Sequence, residues 1–300
     1  MPLFCRHNRL TANCSICSRE LDAELKGKAT PRAPGTRTQS QTARRAGSTT
    51  ARRSSSVITR RAPRAADDGY RNPLVPGLRA TADAERLAAA LAAAQVRIEP
   101  PGPYPSVATE PDLEEATWLA FLLALVGPGA PELQHALLDA RPEWASGELP
   151  DLPDTRAATI AAYRSWARRS GSQAAAFQGE PAWSPGRRFA RVFERLALPG
   201  FDRPSRYELL VTLGAAGLYP LEAEALHLVA EDDPTSLAAK RLLVSADLLL
   251  LERRARELAQ ACGVPIAALD RGLAMWGDSD AEVDSDATVP DSIREALGLQ

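Results

Sequence analysis

Cys5-x-His7 and Cys14-x-x-Cys17 gather three of the chain's four cysteines and one of its three histidines into thirteen residues. Thiolate and imidazole at this spacing suit a tetrahedral Zn²⁺, whose binding free energy can order a segment too short to build an apolar core. A C-x-x-C pair also serves thiol–disulfide chemistry, but the βαβ pattern that usually carries it is missing here. Spacing alone does not separate zinc from an iron–sulfur cluster, although a histidine among the ligands favours zinc. Cys5, His7, Cys14 and Cys17 are therefore the expected metal ligands. Cys262 falls on the apolar stripe Leu248, Leu251, Ala255, Leu258 and Ala259, which predicts a buried structural thiol rather than a further ligand.

A second group of candidates lies in the C-terminal half. Leu196-Ala-Leu-Pro199-Gly200-Phe201 separates two helical segments. Helix, Pro-Gly turn and helix together resemble the helix-hairpin-helix of DNA repair glycosylases, where turn amides and the next helix N-terminus bind a phosphate oxygen. Asp202 stands where the usual pattern has a second glycine, and an ordinary αα-turn is the competing reading. Six arginines between Arg187 and Arg206 face only Glu194 and Asp202. Helical spacing sets Phe189, Val192, Phe193 and Leu196 on one side of the first segment and Arg187, Arg188, Arg191 and Arg195 on the other, an outward arginine face. Asp233-Pro234 reads as a cap and first helical residue, opening a helix that ends in Lys240-Arg241. Asp270 stands one residue off the core stripe Leu269, Leu273 and Trp276. It faces a groove, or else it is a capping or salt-bridged aspartate.

The sequence lacks G-x-x-x-x-G-K-[ST], G-x-G-x-x-G after a strand, H-E-x-x-H and G-x-S-x-G, so common nucleotide, zinc-hydrolase and serine-hydrolase chemistries have no motif here. His135 and His227 sit in Ala/Leu-rich stretches and read as packed or surface residues.

The elements that must position these groups are helical. From about Ala80 to Gly277, alanine and leucine dominate and Pro or Gly punctuates every ten to twenty residues. The pattern predicts helices over 82–96, 111–126, 131–141, 154–169, 185–197, 204–215, 220–229, 234–244, 247–262 and 265–276, with a proline-rich connector at 97–109. Ten basic residues and no acid lie between Lys28 and Arg64, amid Ser, Thr, Ala, Gln and Pro. Such a segment cannot bury enough apolar surface to offset its ordering entropy, and it reads as a disordered tether able to hold a polyanion. The body from Asp67 to Gly277 carries 21 bases and 28 acids, a net of −7, so a polyanion site within it must be local.

The expected organisation is a metal-binding knuckle at 1–26, a basic linker at 27–78, a mainly α multi-helix domain at 79–277 and an acidic tail at 278–300, with an amphipathic turn near Ile293 to Leu297. Sparse, clustered cysteine favours a reducing compartment such as the cytoplasm. The first residues have no apolar signal core, and the most hydrophobic run, Trp118 to Val126, falls far short of the ~20 residues of a spanning helix. Neither export nor a membrane span is expected.

In order, FCRHNR…CSIC, LPGF before a helix, AAKR, LERRARELA and ALDRGLAMWG resemble the alpha-glutamyl/putrescinyl thymine pyrophosphorylase family, related to the helical domain associated with 5-hydroxymethyluracil DNA kinases. The likeness covers Phe4 to Cys17 and, more loosely, Leu113 to Gly277. It implies a bundle similar to helix-hairpin-helix glycosylases, acting on hypermodified thymine in DNA by displacing pyrophosphate with an amine. On that reading Lys240 and Arg241 hold pyrophosphate and Asp270 accepts the proton or binds the amine co-substrate. Arg203 and Arg206, with the arginine face Arg187, Arg188 and Arg191, meet the DNA. The competing class is a non-enzymatic, zinc-containing nucleic-acid-binding or scaffold protein.

Overall fold

The computed structural model describes residues 65–146, 154–229, 233–278 and 288–300. All belong to the second of two units into which the chain divides, Val57–Gln300. The expected ligands Cys5, His7, Cys14 and Cys17, the basic segment 28–64 and the acidic run 279–287 lie outside the described residues. Among the described residues the regular elements are helices, none long and apolar enough to cross a membrane.

Local chemistry sets where most helices begin. Asp112 accepts the Glu114 and Glu115 amides at 2.9 and 3.0 Å and starts the third helix. Ser184, Asp202, Asp233 and Asp247 do the same for later helices, three of them with proline in the first turn. The order is α1 (Thr81–Ile98), α2 (Pro105–Ala108), α3 (Leu113–Val126), α4 (Pro131–Ala140), α5 (Asp154–Arg169), α6 (Gln173–Gln178), α7 (Pro185–Arg195), α8 (Arg203–Ala215), α9 (Pro234–Leu243), α10 (Leu248–Cys262), α11 (Ile266–Gly277) and α12 (Asp291–Leu297).

These helices build two apolar cores. In the inserted lobe, α2 to α8 surround α3, which is buried on every side from Ala116 to Val126. Phe121 stacks on Tyr163 with ring centroids 3.7 Å apart, and Trp118, Trp166 and Phe177 extend the aromatic cluster. The terminal lobe is discontinuous in sequence. α1 packs along α11, and α9, α10 and α12 complete a core around Trp276, Leu91 and Leu258.

Two boundaries shift from their sequence-based positions. Val75 and Leu78, expected in the linker, are buried in the terminal core, and Gly77 passes under α9 with its amide on Leu242 O at 2.8 Å. The expected turn at 293–297 is a helix whose Ile293 and Leu297 are fully buried, tied back by Tyr70 Oη donating to Leu297 O and by Asn72 Nδ2 donating to Ala296 O at 2.9 Å. An apolar pair on a short helix docks where an acidic tail was expected.

A Cβ at Gly77 would fall 2.0 Å from Arg241 O and 2.7 Å from Leu242 O. Backbone carbonyls cannot swing aside, so Gly77→Ala is expected to cost about 1–3 kcal/mol, read by urea unfolding. An unchanged midpoint would show that this approach is looser than it stands here.

The expected helix 220–229 does not form. Its residues are good helix formers, yet each end of the segment belongs to a different lobe, and neighbouring side chains take its backbone groups instead. Glu252 accepts the Leu226 and Leu228 amides at 2.9 and 2.7 Å, and Tyr207 Oη donates to Ala225 O at 3.0 Å. The Val229 amide donates to Ser236 Oγ at 3.2 Å. A strap with its polar groups satisfied this way has no need of helical bonds. It carries His227 at φ +53°.

Candidate functional site: a cleft between the lobes

The hairpin between α7 and α8 positions the first wall. Gly200 takes φ +74°, which only a glycine adopts at low cost, and the turn drives Phe201 into the core against Phe121. Thr159 Oγ1 fixes the turn by donating to Pro199 O at 2.8 Å. Asp202 then caps α8, accepting the Ser205 amide at 2.9 Å. The carboxylate expected to compromise a phosphate-binding turn thus occupies the helix N-terminus itself, where a phosphate oxygen would otherwise sit.

Immediately after this cap, Arg203 enters the junction between the lobes and is only 3% exposed. Its guanidinium pairs with Asp270 of α11 and reaches Asp233 at 3.4 Å, and it donates to the carbonyls of Leu226 and His227 in the strap. The Tyr207 ring lies 5.0 Å from its Cζ. One arginine from the inserted lobe therefore binds two helices of the terminal lobe and the crossing between them. Burial alone would favour neutral Arg203, but Asp270 and Asp233 hold it charged, above its ordinary value. Burial pushes the Asp270 carboxyl up, and the nearby guanidinium only partly offsets this.

Asp270 opens onto a cleft of about 690 Å³. Its walls are the C-terminal end of α3 with Gly127 to Gly129, Arg156 of α5, the first turns of α8 and α9, and the α11 face carrying Asp270, Arg271, Ala274 and Met275. Asp202, Glu208 and Asp278 are its other acids. A concave space between lobes, with a few convergent polar groups and a perturbed carboxylate, is the arrangement expected of a ligand site.

The other sequence candidates are distributed differently. Lys240 and Arg241 do not line the cleft; they occupy the last turn of α9, whose first turn forms the cleft wall. They stand five and six positions after Thr235 along the helix, and Arg241 instead covers Trp276 at 4.7 Å from the ring. Arg187 and Arg191 are exposed on the outer side of α7, as is Arg195. Arg188 is not on that face: it is buried and donates to Gln178 O at 2.7 Å, Pro220 O at 3.0 Å and Glu180 O at 3.4 Å. Those carbonyls come from the end of α6 and from the loops at Glu180 and Pro220, which helical spacing on α7 could not reveal. Arg203, expected on a DNA backbone, is enclosed by its carboxylates. Arg206 is half-buried over Phe193 and donates to Asp202 O at 3.2 Å.

Cys262 is fully buried and its thiol is pushed up to about 11 by burial, the state of an inert structural thiol. His135 is exposed, while His227 stacks on Phe193 with ring centroids 4.6 Å apart and is pushed down by burial. Arg156, Arg271 and Glu208 are cleft residues that the sequence did not single out. Arg271 had one signal, its place next to Asp270 on a helix with a known core stripe. Among the described residues no group of three or more His, Cys, Asp or Glu is placed to hold a metal ion. No protein-family profile, curated protein or solved structure matches the chain.

Proposed function

We propose that the chain is a DNA-modifying enzyme in which the cleft takes a hypermodified thymine and an amine displaces pyrophosphate from its 5-methylene carbon. The amine lone pair forms the new C–N bond, the C–O bond to pyrophosphate breaks with its electron pair on the leaving oxygen, and the Asp270 carboxylate accepts the proton from nitrogen. The observation that carries this reading is Asp270: a carboxylate made more basic by burial, oriented by Arg203, and open to a space large enough for an extruded base. The exposed arginines of α7, Arg187 and Arg191, supply backbone contacts, with Arg206 at the adjoining turn. Lys240 and Arg241 have no place in the step, since they lie outside the cleft.

The Cys5/His7/Cys14/Cys17 knuckle is proposed to hold Zn²⁺ and, with the basic segment, to retain nucleic acid. The test incubates the full chain with DNA carrying pyrophosphorylated 5-hydroxymethyluracil and a panel of amines. Release of pyrophosphate matched by an aminated base in the mass spectrum is the expected result. The position of Lys240 and Arg241 away from Asp270 favours a second reading, a non-enzymatic zinc-containing nucleic-acid-binding or scaffold protein. Salt-sensitive DNA binding without turnover on any amine would select it.

A further inference from the structure

Two arginines in the cleft are not used by the reaction above. Arg156 belongs to α5 of the inserted lobe and Arg271 to α11 of the terminal lobe, so they approach the cleft from different bodies. Neither forms an ion pair among the described residues. Arg156 Nη2 donates to Val126 O at 3.4 Å while its Nη1 is buried without an acceptor, and Arg271 Nε is buried without one as well.

The acids beside them are differently placed. Asp270 is held by Arg203, Glu208 accepts Arg97 at 3.0 Å, and Asp202 accepts its own helix amide at 2.9 Å. Asp278 completes the lining. Buried N–H groups nearly always have acceptors, so one guanidinium nitrogen on each of two arginines lacking one in the same cleft points to an acceptor that arrives with a ligand.

We propose that Arg156 and Arg271 form a clamp for a phosphoryl oxyanion of a ligand bound between the lobes. Two planar donor forks from opposite bodies suit a group with several oxygens and at least two negative charges, which a lone carboxylate does not supply. A space of about 690 Å³ leaves room beside the phosphoryl group for the rest of a larger organic ligand. The inference rests on the reading above for the cleft as the site, and deepens it by naming the residues that hold the charged part of what binds there.

The test is calorimetric titration of the full chain with inorganic pyrophosphate at low salt. Wild type is expected to bind, Arg156→Gln and Arg271→Gln each to weaken binding by about tenfold or more, and Lys240→Gln to leave it unchanged. If a glutamine variant loses its helical circular dichroism, the lysine variant replaces it, with charge kept, the fork lost and weaker binding still expected. No binding by wild type, undiminished binding in either arginine variant, or an equal loss in Lys240→Gln overturns the clamp. Turnover is read separately. A wild type that binds pyrophosphate yet aminates no DNA refutes the reaction and leaves the clamp. One that aminates DNA while the arginine variants bind undiminished refutes the clamp and leaves the reaction.

Discussion

Arg203→Gln is expected to destabilise the chain by about 3–5 kcal/mol, because it removes the one cation shared by two buried carboxylates. Asp270 and Asp233 would face each other without a counter-charge, and the carbonyls of Leu226 and His227 would lose donors that glutamine cannot all replace. Asp233 Oδ2 already lacks a hydrogen-bond partner. The loss should deepen as pH rises, since Asp270 can take up a proton at low pH rather than remain a lone buried charge. Urea unfolding at several pH values reads both effects. A loss below about 1 kcal/mol, in the range of an exposed pair, would mean that this junction is solvated and that Arg203 does not bind the lobes together.

Asp270→Asn is expected to lower turnover by about 10²–10⁴-fold, the usual contribution of a positioned proton acceptor, with a smaller effect on stability than Arg203→Gln. Asparagine keeps the shape and can still accept from Arg203, but it cannot take a proton from an attacking amine. Turnover in the wild type should also fall on acidification through the raised Asp270 value, above the ordinary carboxylate 3.8. Stability runs in the opposite sense. The folded chain holds the Asp270 proton to higher pH than the unfolded chain, so this group's contribution is complete below 3.8 and is lost as pH climbs through its folded-state value. Subtracting the Asp270→Asn stability profile from that of wild type isolates the slope. A difference that grows with pH in this window would contradict the burial assigned to the carboxyl, and turnover unchanged in Asp270→Asn would remove it from the reaction.

The helices were legible in the sequence wherever a cap or a stripe marked them. Asp233-Pro234 starts α9, and the Leu251, Ala255, Leu258 and Cys262 stripe of α10 is buried as spacing requires. One residue off a stripe that must face the core, Asp270 reads from sequence as either groove-facing or salt-bridged, and the structure shows both: it lines the cleft and pairs with Arg203. Those are local properties, set by 3.6 residues per turn and by the few side chains able to satisfy a helix terminus.

Tertiary structure decided what periodicity cannot encode. Residues 220–229 have helical composition, but Arg203, Tyr207 and Glu252 capture their backbone from 18 or more positions away, and Ser236 of the next helix takes the Val229 amide. Arg188 and Arg203 read as surface cations until carbonyls and carboxylates far away in sequence make burial the cheaper state. Arg156 and Arg271 are 115 positions apart, and only the folding of one lobe as an insertion in the other brings them to one cleft. Helix phase is written within a few residues of the chain, whereas the partners of a buried charge are set by which surfaces meet.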